Sequence, residues 1–220
     1  MNKKILKQKI IDALNNGLGI NKNAARNLIS KNLTPGKAYE AYILGVICNR
    51  LRSKEGYILK LVGGTKIALK SSPGPINKNY PYIQVHKKNK HIADIWTDIE
   101  FTAMSAQHKT SYVSLGDYHE LDIAMVIPNT TARPHHNEIL LAAECKNTGY
   151  QKHLLREILG VRRELSLLKD PIKTFFSTWP ATDVPADPPS CLMVYSTDPL
   201  IKNYDSPGNF FGINFIHEPI

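Results

Sequence analysis

Ile139-Leu140-Leu141-Ala142-Ala143-Glu144-Cys145-Lys146 is the stretch on which the fold turns. Its apolar run is unbroken and the stretch is followed by Asn147-Thr148-Gly149, a turn-forming group. A short apolar run bounded in this way reads as a strand buried on both faces. Against that pattern, it ends in a carboxylate and an ammonium. Such groups are costly to take out of water unless paired or metal-bound. Side chains alternate along a strand, so Glu144 and Lys146 point to one side and Cys145 to the other.

Upstream, Glu120-Leu121-Asp122-Ile123-Ala124-Met125-Val126-Ile127 alternates as a second strand and stops at Pro128-Asn129. Joined to the first strand as a hairpin, it brings Asp122 beside Glu144. Two facing carboxylates repel unless a cation lies between them. Mg²⁺ suits the position because it takes oxygen ligands and keeps water for chemistry. Lys146 is then placed to orient a nucleophilic water or to offset charge developing on a phosphate.

These residues resemble the PD-(D/E)xK nucleases. Asp122 stands at the first acid of the motif and Glu144-x-Lys146 at its (D/E)xK half, while Leu121 replaces the motif's proline. The resemblance implies an α/β fold with a restriction-endonuclease-like core, a central mixed sheet flanked by helices. The elements it requires fit between about Thr34 and Thr197. It further implies a Mg²⁺-dependent endonuclease, with Mn²⁺ able to substitute, that hydrolyses double-stranded DNA in restriction or defence against foreign DNA. Asp122, Glu144 and Lys146 are implied to be catalytic, with Asp122 and Glu144 holding the metal. A glutamate of the first core helix often joins the metal in this family. Glu40 is therefore either a third ligand or an ordinary solvated helix residue. The alternative function is a non-catalytic nucleic-acid-binding or assembly subunit that keeps the fold as a scaffold.

The flanking elements follow from local signals. Thr34-Pro35 is a cap and first helical position for a helix over 36–54. Residues 93–101 alternate as a half-exposed first strand, with Asp94, Trp96, Asp98 and Glu100 on one side as surface acids and an aromatic. After Lys146, Leu154, Leu155, Ile158, Leu159, Val161, Leu165 and Leu168 form a helical stripe that ends near Asp170-Pro171. Residues 180–189 read as an exposed loop, Cys191–Tyr195 as the buried return strand, and 212–216 as a terminal strand.

Residues 1–33 form a basic helical extension and residues 34–220 the nuclease domain. In the extension, Ile5, Leu6, Ile10, Ala13 and Leu14 make one amphipathic helix ended by Gly17 and Gly19, and Asn21 caps a second. This extension can face DNA, a partner protein or a second copy in a homodimer. The chain carries 28 Lys+Arg against 19 Asp+Glu, a formal charge of +9, which suits a polyanionic partner. Lys152, Arg156, Arg162 and Arg163, on the helix after the ExK, are the candidate contacts to the nucleic-acid backbone.

No apolar run approaches a membrane span, and the scattered Cys48, Cys145 and Cys191 fit a reducing cytoplasm. His119, His135, His136 and His153 lack the spacing of a zinc site. Val62-Gly63-Gly64-Thr65-Lys66 lacks the phosphate-loop frame, and nothing supports acyl transfer.

Overall fold

Thr34 and Pro35 start the longest helix where the sequence places it. The computed structural model describes residues 3–29, 33–67, 69, 72–107, 109 and 114–220. In it the Thr34 hydroxyl accepts the Lys37 amide at 3.3 Å, Pro35 opens helix α3 (Pro35–Glu55), and Gly56 closes it at φ 69°. Before it come α1 (Lys3–Leu18) and α2 (Lys22–Asn27), the latter capped by Asn21. Residues 1, 2 and 30–32 of the extension lie outside the described residues.

A seven-stranded mixed sheet follows. Its strands are β1 (Ile58–Val62), β2 (Tyr82–Lys87), β3 (Lys90–Thr102), β4 (Tyr118–Val126), β5 (Ile139–Lys146), β8 (Cys191–Ser196) and β9 (Ile213–His217), in that spatial order. Pairing is antiparallel from β1 to β5 and parallel from β5 through β8 to β9. The crossover from β5 to β8 carries α4 (Lys152–Leu165) and a separate ribbon of β6 (Leu167–Lys173) and β7 (Asp183–Asp187). Helix α5 (Asp205–Phe210) precedes β9.

The unbroken apolar run of β5 is explained by burial on both faces. On one face, Leu141 and Ala143 join Ile95, Met125 and Met193 beneath Leu44, Ile47 and Leu51 of α3. On the other, Ala142 joins Ala124, Leu192 and Val194 against Leu154, Leu155 and Ile158 of α4. Each strong core residue contributes on the order of 1.5–3 kcal/mol by leaving water.

The extension packs on α3. Ile10, Ile11 and Leu14 share an apolar cluster with Ala38 and Ala41. The helices touch through glycines. A Cβ on Gly17 would lie 2.6 Å from the Gly45 carbonyl oxygen, and one on Gly45 would lie 2.8 Å from the Ala13 Cβ. At the other end of α3, the Glu55 carboxylate accepts the amides of Ser177, Thr178 and Trp179 and the Thr178 hydroxyl, at 2.5–2.9 Å. Burial opposes its charge, but these donors outweigh burial and bring its pKa down to about 2.

Three sequence expectations change. The helical stripe stops at Leu165, and the residues after Ser166 extend into β6 because they pair with β7. Segment 180–189 is not a plain exposed loop; it supplies β7, whose Val184 and Ala186 bury at alternate positions in the α3-side core. Strand β3 is not half-exposed: it lies between β2 and β4, and residues 93–99 are all buried. Asp94 and Asp98 are thus interior acids, exposed by only 2 % and 0 %. Asp98 adopts φ 52°, a left-handed conformation that Asp tolerates better than most residues and that interrupts the plain alternation.

Candidate active site

Three adjacent strands bring acids into one row. Thr97 pairs with Ile123 and Ile99 with Leu121, so Asp98 and Asp122 lie opposite each other. Ile123 pairs with Ala143, which leaves Asp122 and Glu144 one step beyond, at the neighbouring position. The Cys145 amide donates to Asp122 Oδ2 at 2.7 Å and fixes that carboxylate at the end of the β4–β5 pair. Glu40 comes from α3. One oxygen each of Glu40, Asp98 and Asp122 lies within 4.8 Å of the other two.

Glu144 and Lys146 share a side of β5 as the alternation requires. The Lys146 ammonium donates to Glu144 Oε2 at 3.1 Å and to Glu157 of α4 at 2.8 Å. Glu144 is 6 % exposed, and its Oε1 is buried with no hydrogen-bond partner. Asn147 donates to the Pro35 carbonyl at 3.2 Å, tying the end of β5 to the start of α3.

The electrostatics reflect crowding of like charges. Burial, reinforced by Asp122, drives the Glu144 carboxyl above its usual range, and the Lys146 ammonium only partly offsets this. Asp122 also moves up: burial outweighs its hydrogen bond from Cys145. Glu40 is pushed up to about 7 by burial, with Asp122 and Asp98 adding to the effect and Lys37 opposing it. Burial disfavours the Lys146 ammonium, but Glu144 and Glu157 prevail and raise its pKa. The clustered carboxylate oxygens of Glu40, Asp98 and Asp122, together with the unsatisfied Glu144 Oε1 beside them, are oxygen donors of the kind that a hard divalent ion such as Mg²⁺ takes.

Of the four residues singled out for the centre, Glu40 and Asp122 meet in the acid cluster, and Lys146 is held beside it by Glu144. Glu144 borders it but turns one oxygen to Lys146. Glu120 is exposed and lies outside the cluster. Sequence reasoning missed Asp98, Lys37 and Glu157. Lys37, three residues before Glu40 on one helix, carried a usable signal. The left-handed turn of Asp98 carried none.

Along α4, Lys152, Arg156 and Arg163 are exposed at spacings of four and seven residues, which places them on one face. Arg162 is a correction. It is 4 % exposed and points inward, donating to the Ser190 carbonyl and hydroxyl at 2.9 Å each. Its place on the apolar stripe, four residues after Ile158, turns it away from any surface ligand.

No family model matches the chain, and no curated protein matches it. Among solved structures it is similar to protein VC1899 from Vibrio cholerae, with 13 % identity and a TM-score of 0.38 over 98 % of this chain. The chain spans 53 % of the length of that protein. Among the described residues, no helix is long and apolar enough to cross a membrane.

Proposed function

We propose that this chain is a metal-dependent endonuclease that hydrolyses phosphodiester bonds of DNA, on a core of the PD-(D/E)xK type. One observation carries the reading: acids from α3, β3 and β4 converge at the strand ends, bordered on β5 by Glu144, which pairs with Lys146 and has one buried carboxylate oxygen without a donor. A scaffold has no use for that accumulation of desolvated charge.

Glu40 and Asp122 would hold Mg²⁺, with the free oxygen of Glu144 at its edge. The ion supplies a water of lowered pKa and offsets phosphate charge. The chain's own residues do the rest. The Cys145 amide holds the Asp122 carboxylate in a single orientation. Lys146, kept protonated by Glu144 and Glu157, presents an ammonium to the scissile phosphate or to a water beside it. Lys152, Arg156 and Arg163 offer a line of positive charge for the nucleic-acid backbone, in keeping with the net charge of +9.

The test is plasmid cleavage in Mg²⁺ by the wild type, Asp122→Ala and Lys146→Ala. Supercoiled DNA nicked by the wild type and left intact by both variants is the expected result. Equal nicking by all three proteins removes the proposed site. Retained DNA binding without cleavage under Mg²⁺ or Mn²⁺ favours a scaffold.

A further inference from the structure

Lys37 already occupies the cluster as a cation. Its ammonium donates to Glu40 Oε2 at 2.8 Å and to Asp98 Oδ1, bridging α3 and β3 across two of the three clustered acids. The Lys37 side chain remains 21 % exposed, whereas that of Asp98 is 1 % exposed. The base can therefore reach water by swinging its flexible stem, and the acid cannot. Asp98 lies between Thr97 and Ile99, which pair with the two neighbours of Asp122, its backbone is left-handed, and its carboxylate lies within 4.8 Å of that of Asp122. On the far side of Asp122, Glu144 is 6 % exposed and its buried Oε1 has no hydrogen-bond partner, which leaves one further oxygen donor beside the cluster.

Resting on the metal-site reading above, we propose that Asp98 is a further ligand of the divalent ion and that Lys37 is its resident substitute, displaced when the ion binds. Mg²⁺ binds oxygen at about 2.0–2.1 Å. An ion reaching the oxygens that Lys37 now bonds would put a double charge within a few ångströms of the ammonium, in a site with little water to screen the repulsion. The two cations exclude each other. Lys37 thus keeps the acids together in the ion's absence and sets the concentration of metal needed to load the site. It is a positioning residue, and Asp98 a ligand.

The test is direct Mn²⁺ binding, followed by calorimetry and by the electron paramagnetic resonance of free Mn²⁺, with no DNA present. Asp98→Asn removes charge while keeping a residue that accepts the left-handed backbone. Lys37→Gln keeps hydrogen-bonding capacity without the positive charge. The expected result is Mn²⁺ affinity weakened by about tenfold or more in Asp98→Asn and strengthened by about tenfold in Lys37→Gln. Melting curves in chelator and in Mn²⁺ establish that each variant is folded. Lys37→Gln should also gain more thermal stability from Mn²⁺ than the wild type does. If either variant keeps wild-type affinity within about twofold while Asp122→Asn abolishes binding, this inference falls and the metal site stands. If neither the wild type nor Lys37→Gln binds Mn²⁺, both readings fall.

Discussion

Glu55 and Glu144 are the same residue type with little exposed surface, 8 % and 6 %, but Glu144 lies much deeper beneath its neighbours, and the two behave in opposite ways. Glu55 receives four hydrogen bonds from one loop and is held ionised far below the ordinary carboxylate range. Glu144 shares one oxygen with Lys146, has no donor for the other, and is driven upward. Depth and donors together decide the charge: the shallower Glu55 has a full set of donors, and the deeper Glu144 lacks one. A carboxylate with a full set of donors fastens two elements together. One left short of donors, among other acids, keeps an open oxygen, which is what the metal site proposed above would use.

That contrast yields a graded set of expected outcomes. The largest concerns Glu144→Gln, which should lower plasmid cleavage by about 10³-fold. The same variant should raise the melting temperature by roughly 2–4 °C, because it relieves charge repulsion and gives Asp122 a donor. A fall in melting temperature would place Glu144 in the same structural class as Glu55. Next, Glu55→Gln sets an amide donor against a loop of donors. It should cost about 2–3 kcal/mol and lower the melting temperature by roughly 4–10 °C. Cleavage per folded molecule should be retained.

The pH response is smaller and signed. Glu55 has a folded pKa of about 2 against an ordinary value of 4.5. Its contribution, at most about 3 kcal/mol, is fully present above pH 4.5 and disappears as the pH falls toward 2. Denaturant titrations of the wild type and Glu55→Gln should therefore differ most near pH 6, less near pH 3, and converge only at or below about pH 2. A gap that stays constant with pH would mean that Glu55 acts through packing alone. The smallest effects belong to neighbouring arginines. Arg163→Ala should weaken DNA binding a few-fold and reduce its salt slope by about one, with stability unchanged. Arg162→Ala should lower stability, since it strands the Ser190 carbonyl, and leave the salt slope alone.

Much of the architecture was legible because local chemistry and burial agree. The Thr34-Pro35 start, the doubly buried β5 and the return strand Cys191–Tyr195 each carry a pattern that a single period explains. Asp122, Glu144 and Lys146 were legible for the opposite reason, as charges placed where apolar residues belong. Asp98 was not, because strict alternation put it on a surface face, while the sheet covers both faces and a left-handed residue breaks the period. Ribbon β6–β7 was missed because Leu168 continued a helical spacing that pairing with Ala186 overrides. Arg162 was misplaced because a charge count ignores which way a helix turns each residue. The stripe through Leu154, Ile158 and Leu165 already held that answer.

The glycine contact between α1 and α3 has a mechanical consequence. Glu40 and Lys37 ride on α3, one and two turns before Gly45, where the backbone of α1 sets the helix spacing. A methyl group at residue 45 would force the helices apart and carry Glu40 away from Asp122 and Asp98, and the metal site proposed above would tolerate errors of only about 0.5 Å. Helix α1 therefore acts as a gauge block for the helix that carries Glu40 and Lys37, and the calibration is machined into two hydrogen atoms, one on each glycine.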